Sequence, residues 1–226
     1  MCTKCSVRLV NNHIIIEENG HNILIDTGSP LSFHPSGNLV FGEEFPVSHT
    51  YLGVTPQYLS DNVGYEIHGL LGMDIINRMP VTFNLEEGFV LFDDEAEYTN
   101  AFEMYPLGPS AMGLVAIKIS VNNRRAKMIV DTGAPISYIA PGFVEGLESV
   151  GMMDDFHPSI GNFQTETYNC DVDTLIGDEP YSQIFGIPTQ ELSITFGMLN
   201  VDGIIGVELF KRYRLQIKDQ SVFLLP

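Results

Sequence analysis

Asp26-Thr27-Gly28 and Asp131-Thr132-Gly133 are the two stretches of this chain best suited to chemistry. Each Asp follows an apolar triplet, Ile23-Leu24-Ile25 in one case and Met128-Ile129-Val130 in the other, which puts each carboxylate at the end of a buried strand. The Gly two positions later permits a backbone turn that other residues resist, so the side chain is held rigidly. One such tripeptide says little, because Asp before Gly often does no more than cap a turn. Two in matched settings allow more. Carboxylates brought to about 3 Å from each other cannot both ionise; they share a proton, titrate as a unit and can act as base and acid on one water molecule.

The elements that must position these loops also repeat. Reading the chain at an offset of 131 minus 26, or 105 residues, aligns 23–33 with 128–138; apolar residues fall on apolar ones, and Asp, Thr, Gly, Pro and Ser recur in register. Upstream, residues 14–16 and 23–25 flank the polar turn Glu17-Glu18-Asn19-Gly20, and 115–121 and 128–130 flank Asn122-Asn123, so each loop ends a hairpin. Downstream, Gly69-Leu70-Leu71-Gly72 corresponds to Gly203-Ile204-Ile205-Gly206. Each is followed by a further strand pair around a polar turn, at 81–83 and 89–92 and at 213–215 and 222–225. Helix signals are confined to 74–78, 141–150 and 208–212. The expected fold class is all-β, with lobes at 1–97 and 111–226. A linker is expected at 98–110, at the end of an acidic and then Pro- and Gly-containing stretch.

Composition narrows the functions. At 226 residues, 44% hydrophobic and 18% charged, the chain can fold as one large domain or two smaller ones. Its 29 acidic against 11 basic residues give a net charge of -18, which repels phosphate backbones and anionic lipid and argues against nucleic acid or a membrane surface as partner. No apolar run approaches the roughly 18 residues of a membrane span. The first residues lack the basic and apolar regions of a secretory signal, so a cytoplasmic location is expected. Cys2, Cys5 and Cys170 cannot pair completely and read as free thiols. The six histidines have no metal-ligand spacing and read as surface or turn positions; neither a metal nor a cofactor is expected. Phosphate-binding loops and the Gly-x-Ser-x-Gly elbow of serine hydrolases are absent.

Two Asp-Thr-Gly loops, each followed by a hydrophobic-hydrophobic-Gly segment (Leu70-Leu71-Gly72 and Ile204-Ile205-Gly206), resemble the pepsin and retropepsin superfamily of aspartic proteases over nearly the whole chain. The resemblance implies two homologous retropepsin-like β-barrel lobes related by a pseudo-twofold axis, with the active site at their interface. It implies an aspartic endopeptidase, active as a monomer without metal or cofactor, that binds a peptide or protein substrate in extended form. Asp26 and Asp131 become the catalytic pair, Thr27 and Thr132 cross-link the loops through their hydroxyls, and Gly28 and Gly133 let backbone amides approach the carboxylates. Three positions after each Asp stand Ser29 in one half and Ala134 in the other; a Ser29 hydroxyl donated to the carboxylate would make Asp26 the more readily ionised. Leu31, Phe33, Ile136 and Tyr138, just past the loops, read as pocket walls or as plain core.

The chain also departs from the family. Asp26 and Gly72 are 72 minus 26, or 46, positions apart, whereas Asp131 and Gly206 are 206 minus 131, or 75, apart. The substrate-covering hairpin is therefore expected from the second half, at 156–168, with Phe163 and Tyr168 as contacts, although the stretch could equally be an ordinary surface hairpin. A catalytically silent peptide-binding or scaffolding module of the same fold is the alternative reading.

Overall fold

A computed structural model of the chain describes residues 2–157 and 160–225; Met1, Pro158, Ser159 and Pro226 lie outside it. Strands dominate, as the β-branched and aromatic runs between Gly, Asn and Asp turns require. β1 (Thr3–Val10), β2 (His13–Glu18) and β3 (His21–Ile25) form an antiparallel meander. Its tight turns hold Asn11, Asn12 and Asn19 at positive φ, which Asn tolerates better than most residues. The small pair β4 (Asn38–Phe41) and β5 (Glu43–Pro46) follows, then helix α1 (Pro56–Val63). β6 (Gly69–Leu71) returns parallel to β3, pairing Ile23 with Gly69 and Ile25 with Leu71. Helix α2 (Met73–Ile76) leads into the hairpin of β7 (Val81–Asn84) and β8 (Phe89–Phe92).

Two short strands, β9 (Asn100–Ala101) and β10 (Glu103–Met104), precede a second round of the same plan. The hairpin of β11 (Ala116–Val121) and β12 (Arg124–Val130) is followed by β13 (Ser137–Ile139). Then come the antiparallel pair β14 (Gly151–His157) and β15 (Gly161–Asp173), strand β16 (Tyr181–Gly186) and helix α3 (Gln190–Leu199). β17 (Gly203–Ile205) lies parallel to β12, pairing Met128 with Gly203 and Val130 with Ile205, as β6 does to β3. Helix α4 (Glu208–Arg212) and the hairpin of β18 (Leu215–Lys218) and β19 (Ser221–Leu224) complete the order.

The mainly β character is thus as expected, and strands from both halves of the chain share a sheet. One sheet runs β6-β3-β2-β1-β8-β7-β18-β19-β9 and the other β10-β11-β12-β17-β13-β16-β15-β14. β18, from the second half, pairs with β7, Leu215 facing Phe83, because that edge would otherwise leave a row of peptide groups unpaired. Residues 98–110 are not a free linker either. Asn100 and Ala101 pair with Leu224 and Phe223, and Glu103 and Met104 pair with Lys118 and Ile117, so the segment staples one sheet to the other.

Two helices were not legible in the pattern, and one expected helix is reduced to a 3-10 turn at Pro141–Phe143. Threonines cap both unexpected helices. Thr55 Oγ1 accepts from the Tyr58 amide at 3.2 Å and Thr189 Oγ1 from the Leu192 amide at 3.3 Å, while left-handed Gly64 and Asn200 end them. Alternation along the strands then divides the core. Ile23 and Ile25 of β3, with Met128 and Val130 of β12, enter one large core shared by both halves. Leu24 and Ile129, facing the other way, enter two smaller cores to which α1 brings Leu59 and α3 brings Leu192. Among the described residues no helix is long and apolar enough to cross a membrane.

Candidate active site

Just past β3 and β12 the next amide crosses to the parallel neighbour: Asp26 N–H donates to the Leu71 carbonyl at 2.9 Å and Asp131 N–H to that of Ile205 at 3.0 Å. Each loop then closes on itself. The Gly28 and Gly133 amides donate to Oδ1 of the Asp two residues earlier, at 2.9 and 2.8 Å. Beyond the loops, Ser32 and Ser137 accept from the Gly72 and Gly206 amides at 2.8 and 2.9 Å, tying each Asp loop to its hydrophobic-hydrophobic-Gly segment.

The two loops meet through their threonines. Thr27 Oγ1 donates to the Val130 carbonyl at 2.8 Å and accepts from the Thr132 amide at 2.9 Å. Thr132 Oγ1 donates to the Ile25 carbonyl at 2.8 Å and accepts from the Thr27 amide at 3.0 Å. Both side chains are fully buried. The exchange presses each glycine against the opposite carboxyl. A Cβ built on Gly133 would sit 2.5 Å from Asp26 Oδ1, and one on Gly28 would overlap the whole carboxyl of Asp131, so no larger residue fits either place. Across this contact the two carboxyls lie close enough to couple in their titration.

Protein surrounds both carboxyls, yet each residue keeps a partly accessible surface toward a cleft. Burial pushes both pKa values up, and the Asp26 charge carries Asp131 well above the ordinary carboxylate range. For Asp26 the rise is opposed by the hydrogen bond from Asp131 and by the Gly28 and Ser29 amides. Carboxyls held this close titrate as a pair. The hydrogen bond expected from Ser29 to Asp26 is not made. The Ser29 hydroxyl donates to the Leu31 carbonyl at 3.0 Å and not to Asp26, a local side-chain to backbone bond of the kind Ser makes readily, so Ala134 opposite it deprives Asp131 of nothing.

The pair lies in a cavity of about 210 Å³. Leu24, Phe33, Leu59 and Leu70 wall it from the first half, Tyr138, Leu192 and Ile204 from the second. From β14 and β15 come Asp155, Phe156, His157 and Phe163, so the stretch at 156–168 does reach the cleft; its residues Pro158 and Ser159 lie outside the described residues. Phe33, Tyr138 and Phe163 line the cleft as the sequence suggested. Leu31, Ile136 and Tyr168 do not. Leu31 is 38% exposed beside Pro30, which takes the wall position; Ile136 packs into the smaller core of the second half. Tyr168, five residues after Phe163, falls on the opposite face of β15 and packs on the main core.

Other residues of the cleft carried no strong sequence signal. The first half supplies Tyr51 and Val54, bridged across the turn that holds Leu52 and Gly53 at positive φ. His13 and His34 are buried, whereas surface or turn positions were expected; His13 does directly follow the Asn11-Asn12 turn. His34 meets the His21 ring at a tilt, with centroids 4.9 Å apart, while His13 lines the cleft beside the Phe156 ring at 6.1 Å. The one hint in the sequence was the place of His13, directly before the apolar run 14–16. Tyr138 donates its hydroxyl to Asp155, fixing that carboxyl at the cleft margin. Among the described residues no cluster of His, Cys, Asp and Glu is arranged to hold a metal ion. No protein-family model and no curated protein matches the chain.

Proposed function

We propose that the protein is an aspartic endopeptidase of the pepsin and retropepsin type, two homologous lobes related by a pseudo-twofold axis, with Asp26 and Asp131 activating one water molecule between them. The observation that carries this reading is the reciprocal Thr27–Thr132 bonding, which sets each glycine against the opposite carboxyl and brings the two carboxyls together in a cleft. The like pairings of β3 with β6 and of β12 with β17 support the pseudo-twofold relation. Since one chain supplies both aspartates, the reading needs no second copy.

Asp26, ionised, takes a proton from water as the water oxygen bonds to the peptide carbonyl carbon, while Asp131 gives its proton to the carbonyl oxygen. The product of this step is a neutral diol. Asp26 then passes its proton to the amide nitrogen, the carbon–nitrogen bond breaks, and a diol hydroxyl returns a proton to Asp131. An acid and an amine leave, and the pair ends as it began. The largely apolar walls suit alternate side chains of an extended peptide.

Incubation with a denatured protein mixture between about pH 4 and 7 tests this, since coupled carboxylates titrate in that range. Cleavage by the wild type and none by Asp26→Asn or Asp131→Asn is the expected result. The rate should follow a bell in pH, its basic limb above the ordinary carboxylate range because burial and the Asp26 charge hold the proton on Asp131. Peptide binding with no cleavage by the wild type would identify a silent binding module instead.

A further inference from the structure

A side chain closes the first rung between the parallel strands β3 and β6. His68, just before β6, donates its amide to the Asn22 carbonyl at 2.8 Å, and its ring Nδ1 accepts the Asn22 amide at 2.9 Å. The second half builds the same rung. Asp202, just before β17, donates its amide to the Lys127 carbonyl at 2.8 Å, and its carboxylate accepts the Lys127 amide at 2.8 Å. Asn22 and Lys127 are 127 minus 22, or 105, positions apart, the offset that relates the two Asp loops, and His68 and Asp202 stand alike before Gly69 and Gly203. The two acceptors differ in one respect. A carboxylate has acceptor sites to spare, whereas an imidazole that takes a second proton has none.

The bond to Asn22 puts the one proton of neutral His68 on Nε2, which lies 3.7 Å from Glu66 Oε1. A second proton can enter only at Nδ1, where it meets the Asn22 N–H and breaks the rung. Solvent reaches the side chain, which is 32% exposed, and imidazoles change charge between about pH 5 and 8. The rung is therefore complete when the ring is neutral and is lost as pH falls. Glu66 favours the second proton, and Glu17 and Glu18 lie on β2 across from Asn22 and His21. Against it stands the His21 ring, 5.2 Å from that of His68, with the buried His34 ring 4.9 Å beyond. Burial and these two neighbours keep His34 below its usual pKa. His34 also presses on β6, since a Cβ built on Gly69 would sit 2.8 Å from its Cδ2.

β6 has little else to hold it. It is three residues long and ends its sheet, with only the bridge from Leu70 to Phe33 on its outer side, whereas β17 lies between β12 and β13. Phe33 and Leu70 are both walls of the cleft, and the Leu71 carbonyl holds the Asp26 amide. We propose that His68 is a positioning residue that makes the fastening of the Asp26 loop sensitive to acid. Protonated, it releases Asn22 and loosens β6 and the wall of Phe33 and Leu70, while the Asp131 loop, fastened through Asp202, keeps its hold.

Hydrogen exchange of the full-length chain tests this, expressed as protection factors at about pH 7.5 and about pH 5.5, on either side of imidazole titration. Protection of the Asn22, Asp26, His68 and Leu70 amides should fall about tenfold at the lower pH, the scale of one hydrogen bond, while the Lys127, Asp131 and Asp202 amides keep theirs. His68→Asp, which copies the rung of the second half, should abolish the fall. An equal fall in both sets overturns the proposal, as does a fall that persists in His68→Asp. Should that variant not fold, nitrogen NMR of the wild type decides: protonation at His68 Nδ1 must share its midpoint with the loss of protection, and midpoints more than about one pH unit apart overturn the proposal. The measurement is repeated in Asp131→Asn, where the aspartates no longer share a proton; a fall that disappears there belongs to them and overturns it too. Exchange reads no cleavage, so none of these outcomes bears on the endopeptidase reading.

Discussion

Thr27 and Thr132 each have to donate to a carbonyl and accept from an amide at once, which a hydroxyl can do and a methyl cannot. Thr27→Ala leaves the Thr132 N–H and the Val130 carbonyl buried without partners. Its expected cost is about 2–4 kcal/mol, read as a lower urea midpoint, with Thr27→Ser recovering most of it. The aspartate pair itself strains the fold in a pH-dependent way. Both carboxyls titrate higher in the folded chain than in the unfolded one, so their stabilising contribution is complete in acid and is lost as pH rises from about 4 through the raised values. Asp131→Asn should therefore raise stability by roughly 0.5–2 kcal/mol at neutral pH, and by less near pH 4, while abolishing the proposed cleavage. Thermal unfolding at the two pH values checks this, and a neutral-pH melting point below wild type contradicts it. The paired aspartates were readable because their tripeptides recur at a fixed offset. The direction of the Ser29 hydroxyl was not, since a choice between two acceptors a few ångströms apart leaves no trace in residue type.

Period-two runs around Asn- and Gly-containing turns made the hairpins flanking both Asp loops legible. The helices of 8 and 10 residues were not, because α1 is too short for a helical period to show and α3 contains Ile194, Thr195 and Gly197, all poor helix formers. Which strand neighbours which was likewise hidden. The pairing of β18 with β7 depends on a sheet edge becoming available, and no residue in 215–218 names its partner. Phe210 bears on this junction: it is buried and meets the Phe83 ring of β7 edge-on at 4.9 Å. Phe210→Ala should cost about 3–5 kcal/mol. Because the contact joins an element of each half, hydrogen exchange should speed up in β7 and β18 together. Faster exchange confined to β18 would mean that the two strands are stabilised separately.

At the scale of the molecule, one core receives side chains from both halves, and the staple at 100–104 ties the two sheets. Two independently folding lobes would melt in two steps. The shared core and mixed sheet lead us to expect one calorimetric transition, with calorimetric and van't Hoff enthalpies in agreement. Two resolved transitions would refute that. Boundaries drawn at 97 and 111 from composition missed the sharing, because a polar, Pro-containing stretch reads the same whether it swings free or lies along a strand edge.

Phe83 and Leu215 face each other although 215 minus 83, or 132, positions separate them. Neighbours so remote along the polypeptide find each other late. During synthesis, then, β7 waits on the ribosome with its rim uncovered until β18 has been made. Over the same interval Asp26 has no Asp131 beside it. A half-made chain of this design would call on chaperones to shield it, and any activity that needs both aspartates would wait until the second half had folded.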